Sequence, residues 1–262
     1  MSVNLNLKSP YTLSFLVVAL AIGCSGSKTD KFPLEKRFWV IEDYGNAIRQ
    51  IEFETPTNEK YPMLRDPETA PIFKKLVDRQ NISAVAEDNT LGIRHRADFT
   101  DGMFDEYKKL ANLYSGMNRE DKYVYDQELV EIYRFGAYLQ IWYFKLGNEK
   151  ILQNADNAAE VRTLVSQNEQ TVISNFNNYL DFVNNENSFS EGALKNYSDG
   201  IDESFSQLLD TFPKGDYYIT LRKATDMEKK ATNSDVKTAL SNLIQKLNSK
   251  IESASQIVVQ SE

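Results

Sequence analysis

The sequence predicts a mainly α protein: a single-domain antiparallel bundle of about six to eight helices, set behind an N-terminal leader and a short tether. Three observations carry this. Apolar residues recur at spacings of three and four through most of the 262 residues. Asp, Asn, Ser, Gly and Pro sit where those runs begin and end, as helix caps and stops do. The composition, 41% hydrophobic and 26% charged with only 11 Gly and 7 Pro, belongs to a folded globular chain.

The leader comes first. Lys8 precedes a mostly apolar run from Tyr11 to Ile22, and Gly23-Cys24 closes it. Twelve residues fit the apolar core of an export signal and fall short of the ~20 that a spanning helix needs. As a helix they would cover roughly 18 Å of a hydrocarbon layer about 30 Å thick. A buried core helix would carry a polar face, and Leu13 to Ile22 offers only Ser14.

The quartet Ala21-Ile22-Gly23-Cys24 resembles the lipobox of bacterial lipoproteins, with Ala21 where that motif favours Leu. The resemblance covers residues 1–24. It implies cleavage before Cys24, a diacylglycerol thioether on its sulfur and acylation of the new amine. Cys24 is the only cysteine, which excludes intrachain disulfides and Cys-based metal sites. The competing reading of Cys24 is a free thiol at the end of a leader. Residues 24–33 form the lipidated cysteine and polar tether, so the domain stays within about 30 Å of a membrane. Ser25 lacks the acidic residue that retains some lipoproteins in an inner membrane. The resemblance therefore implies an outer-membrane location facing the periplasm, where the source has two membranes.

The domain is expected over 34–253, followed by a polar tail at 254–262. Phe38, Ile41, Tyr44, Ile48 and Ile51 share one helical face, and Pro56 and Pro62 make 54–66 a loop. Asp66-Pro67 predicts a helix start, with Phe73, Leu76 and Val77 leading to a stop near Asn81. Residues 82–99 admit two readings. Leu91, Ile93, His95, Ala97 and Phe99 alternate like a strand, yet they also begin a helix running through Phe104, Tyr107, Ala111 and Tyr114. The helix is preferred, because no strong second strand exists to pair with it.

Gly116 is expected to end that helix and Asn118-Arg-Glu-Asp to cap the next. Leu129, Ile132, Tyr133, Gly136, Leu139, Tyr143 and Leu146 then run to Gly147. Apolar residues around most of its circumference make this helix central. Gly136 permits close approach of a neighbour. A helix capped near Asp156 carries Val161 through Val183. Ser188-Phe-Ser-Glu191 has the capping-box form and introduces Leu194 to Phe212, where Pro213 stops the run. A helix after Gly215 carries Tyr218, Leu221 and Met227. The last begins near Ser234, with Val236, Leu240, Leu243, Leu247 and Ile251 on one stripe.

Chemistry is constrained chiefly by exclusion. The chain has 30 basic and 38 acidic residues; without residues 1–23, which hold one base and no acid, it has 29 and 38 and a net charge of −9. That balance argues against nucleic acid as a partner and leaves membrane attachment to the lipid. With His95 the only histidine, multi-histidine metal centres are excluded. No catalytic motif, metal site or cofactor fingerprint stands out. Arg94-His95-Arg96 reads as a solvated helix turn or, more sharply, as an anion-binding patch. Glu87 to Gly92 resembles a calcium loop only superficially, since Leu91 occupies a ligand position. Asp121, Asp126, Glu128 and Glu131 could supply a carboxylate pair or merely a solvated face. The expected function is a membrane-anchored, non-enzymatic binding or structural module for an envelope protein or component. The alternative is a small carboxylate-dependent hydrolase, which requires a cleft lined by two acids with shifted pKa values.

Overall fold

Packing of the apolar stripes produces two cores that share one helix. The computed structural model describes residues 31–54, 61–115, 118–119, 122–154 and 157–259. The chain is mainly α, an antiparallel helical bundle. Its helices are α1 (Ile41–Glu54), α2 (Ala70–Leu76), α3 (Gln80–Ala86), α4 (Ile93–Ser115) and α5 (Asp126–Asn154). α6 (Ala158–Tyr179), a 3₁₀ segment (Leu180–Ser188), α7 (Glu191–Thr211), α8 (Tyr218–Lys230) and α9 (Ser234–Val259) follow. Among the described residues no helix is long and apolar enough to cross a membrane.

One core gathers Trp39, Tyr44, Phe73, Leu76, Met103 and Tyr114 from the N-terminal elements. The other gathers Phe176, Tyr197, Phe205, Leu208, Leu240 and Leu243 from the C-terminal ones. α5 walls both: Leu129, Ile132, Phe135 and Leu139 face the first, while Val130, Ala137, Ile141 and Phe144 face the second. The helix expected to be central is so because its apolar residues cover opposite sides.

Several boundaries differ from those the sequence predicts, each for a local reason. The folded body starts before 34: Phe32 is buried and stacks on Trp39, whose indole donates to the Pro33 carbonyl. The helix expected over 67–81 divides into α2 and α3. Asp66 organises the turn ahead of α2, its carboxylate accepting from the Glu68 amide and the Thr69 hydroxyl, so the helix starts at Ala70. Asp78 then accepts from the Gln80 amide and restarts the chain as α3. Within 82–99, the alternation from Ile93 onward is the first turns of α4, and Glu87 to Gly92 is a turn.

Asn118 to Asp121 does not cap α5. Asn118–Arg119 pairs antiparallel with Lys122–Tyr123, and the helix begins at Asp126. Gly147 does not end it either; α5 continues to Asn154, with open space beside Gly147. Asn157 caps α6 through the Ala159 and Glu160 amides, one residue after the expected position. Val183 lies in the 3₁₀ segment rather than in α6. The cap of α7 is Ser190, whose hydroxyl accepts from the Ala193 amide, and not Ser188. The polar tail expected at 254–262 is helical as far as Val259.

Candidate functional site

Where the two cores meet, the surface is not closed. A cavity of about 500 Å³ opens at the seam between α4, α5, the end of α6 and the 3₁₀ segment. Its volume falls within the range typical of small-molecule sites. The floor is one face of α5, where Leu129, Tyr133, Ala137 and Gln140 follow each other at spacings of four, four and three. Tyr133 packs against both cores. α4 contributes Phe104 and Tyr107 to one side, and Phe176 and Tyr179 of α6 stand on the other.

The outer wall exists because α6 does not continue as an α-helix. The 3₁₀ segment takes over at Leu180, and Asn185 leaves helical geometry with φ −122° and ψ 23°. The segment from Leu180 to Ser188 is two short 3₁₀ stretches joined at the Asn185 kink. It turns Asp181, Phe182 and Asn185 toward the cavity, and Phe189 follows in extended conformation. Phe182 meets Tyr133 edge-on at 4.9 Å, Phe189 lies 5.3 Å from Phe182, and Tyr123 lies 5.0 Å from Phe189. Thus four half-buried rings form a continuous aromatic wall.

The polar lining has little acid-base capacity. Burial first, then the neighbouring Tyr123, raises the pKa of the Tyr133 hydroxyl, and burial likewise raises those of Tyr107 and Tyr179. These phenols stay protonated at neutral pH and act only through hydrogen bonding. Asp181 is the single carboxylate among the described residues lining the cleft, and Lys223 donates to it at 2.8 Å. Gln140, Asn175, Asn178 and Asn185 complete the lining. The side chains of these four amides make no hydrogen bond with another described residue, and the Gln140 Oε1 is buried without a partner.

Cys24 lies outside the described residues. Arg94, His95 and Arg96 do not converge, because successive residues point about 100° apart on a helix. Arg94 and His95 are exposed, whereas the Arg96 guanidinium turns inward. It donates to the Ala86 carbonyl and to Asn89 Oδ1, both at 3.2 Å, and pairs with Glu149. Arg96 therefore ties the 87–92 turn to α3 and α5. The calcium-loop-like stretch is that turn, with Asp88 accepting from the Thr90 amide and hydroxyl.

The carboxylates of α5 also separate. Asp126 accepts from the Ser190 amide, and Glu131 pairs with Arg134. Glu128 is buried and accepts from the Leu64 amide at 2.6 Å, its pKa raised by burial. Asp121 lies outside the described residues. A separate groove near α4 holds Asp98 and Asp101, but Asp98 is exposed and its hydrogen bond from Lys150 lowers its pKa. That suits a fixed anion rather than a general acid. Among the described residues no three His, Cys, Asp or Glu side chains are grouped to hold a metal ion.

The aromatic wall escaped sequence reading because its rings sit at ordinary core spacing. The available signal was local: amides interleave with rings in Asn177-Asn178-Tyr179-Leu180-Asp181-Phe182-Val183-Asn184-Asn185. Comparison of the chain with protein-family models, curated proteins and solved structures finds no match.

Proposed function

We propose that this chain is a lipid-anchored, non-enzymatic binding protein of a bacterial cell envelope, held through Cys24, whose aromatic cleft captures an envelope component. The cleft carries the reading. It combines an aromatic wall and uncharged amides with a single ion-paired carboxylate, an arrangement suited to holding a ligand and poor in groups that transfer protons. The resemblance of residues 21–24 to a lipobox supplies the anchor. Because Phe32 is docked on Trp39, only seven residues separate it from Cys24, a length of chain that reaches about 29 Å at most. Two acyl chains at ~0.8 kcal/mol per buried CH₂ suffice for stable attachment.

The test has two arms. Metabolic labelling with a palmitate analogue is expected to mark wild type and to leave Cys24→Ala unlabelled and released from membranes; an unlabelled wild type overturns the anchor. Mass spectrometry of full-length protein isolated from its own membranes is expected to find a small molecule that Phe182→Ala and Phe189→Ala fail to retain. Wild-type protein isolated without any such molecule sinks the binding reading.

A further inference from the structure

The geometry points to a neutral saccharide as the ligand class of the cleft, an inference that rests on the binding-protein reading above. The first support is the wall formed by Tyr123, Phe189, Phe182 and Tyr133, whose centroids follow one another at 5.0, 5.3 and 4.9 Å. Aromatic faces carry partial negative charge. The C–H hydrogens on the flat face of a sugar ring are slightly positive, so the two surfaces attract while both lose water.

The second support is the amide set. Gln140 on α5, Asn175 and Asn178 on α6, and Asn185 on the 3₁₀ segment reach the cleft from different elements. Each amide donates and accepts, as each sugar hydroxyl does. A purely apolar ligand would bury these groups unpaired, at about 1–3 kcal/mol apiece. The third support is charge. With Asp181 held by Lys223, an ionic ligand finds no free counter-charge, and burying an unpaired charge is costly. A peptide that binds by adding a strand needs a free sheet edge. The nearby ladder, Asn118–Arg119 with Lys122–Tyr123, is two residues long and offers too little edge.

The experiment uses the full chain in a zwitterionic, non-glycosidic detergent, with isothermal titration calorimetry as the readout. The probes are neutral oligosaccharides of glucose, mannose, galactose, xylose and N-acetylglucosamine, uronic-acid oligosaccharides, a C16 fatty acid and a neutral tetrapeptide. At least one neutral oligosaccharide is expected to bind saturably, and the uronates are expected not to. Asn178→Ala and Asn185→Ala, both at exposed positions, are each expected to weaken that binding roughly three- to tenfold with an unchanged thermal midpoint. Phe182→Ala removes the ring wall and is expected to abolish it. Fatty-acid or peptide binding that the same substitutions weaken, without saccharide binding, overturns the saccharide class and leaves the binding-protein reading standing. Failure of every neutral oligosaccharide overturns the inference, while co-purification from native membranes decides the parent reading separately.

Discussion

At Gly136, a Cβ would lie 2.2 Å from the Tyr107 hydroxyl and ring, far inside contact distance. The missing methyl lets α4 approach α5 and sets the position of a ring that lines the cleft. Gly136→Ala gains about 1 kcal/mol of helix propensity but must displace a packed ring, which costs about 1–3 kcal/mol or more. The expected net is a loss of about 1–2 kcal/mol by urea unfolding; an unchanged midpoint would mean that Tyr107 swings aside freely. This glycine was legible in the sequence, because a small residue on an all-round apolar helix implies close approach. The neighbouring Glu128 was not. Its burial depends on the loop from Tyr61 to Asp66 folding back, where the Leu64 amide meets its carboxylate and the Tyr61 amide meets the Tyr125 hydroxyl. Nothing local in the sequence reports a contact 64 residues away.

Between elements, one polar link joins the two halves of the bundle. Glu203 on α7 accepts from Arg79, ahead of α3, and from Arg134 on α5, at 2.5 and 2.8 Å. Burial raises the Glu203 pKa, but the two guanidinium hydrogen bonds outweigh it and the net shift is downward. A depressed carboxylate stabilises the fold above its unfolded pKa, and that contribution is lost as pH falls through the folded value. Glu203→Gln is therefore expected to cost about 1–2 kcal/mol at neutral pH, less than a fully buried pair because the side chain is 35% exposed. It should also flatten the acid limb of stability against pH between about pH 5 and the folded pKa. A variant whose acid limb parallels wild type would show that the link contributes little. Helix existence was readable throughout, since periodicity reports which face is buried. Boundaries at Ala70, Asp126 and Ser190 were not, because each depends on which of several neighbouring Asp, Thr or Ser side chains takes the cap.

For the whole molecule, two cores with one common helix imply one cooperative unit. Ile132 and Ile141 are nine residues apart on α5, both nearly inaccessible, and belong to different cores. Truncating either to Ala is expected to cost about 2–5 kcal/mol. Calorimetry should show a single transition that moves down in both variants. Two resolved transitions, only one of them shifted by each substitution, would mean that the cores melt separately. The division into two cores was not legible, since the stripes of α4 and α7 look alike until α5 is placed between them. The cleft follows from the same placement: it lies at the seam, where neither core can bury the rings of Phe182 and Phe189 completely.

The sharing of α5 also governs how the chain tolerates insertions and deletions. One residue added or lost within that helix turns everything beyond it by about 100°, so the row destined for one core swings toward the other. Tyr133, Ala137 and Gln140 would leave the cleft in the same movement. A shift of frame that an exposed helix can absorb at its free face has no neutral side to fall on here. The length of chain between Asp126 and Phe144 is therefore held fixed by both cores and the cleft at once.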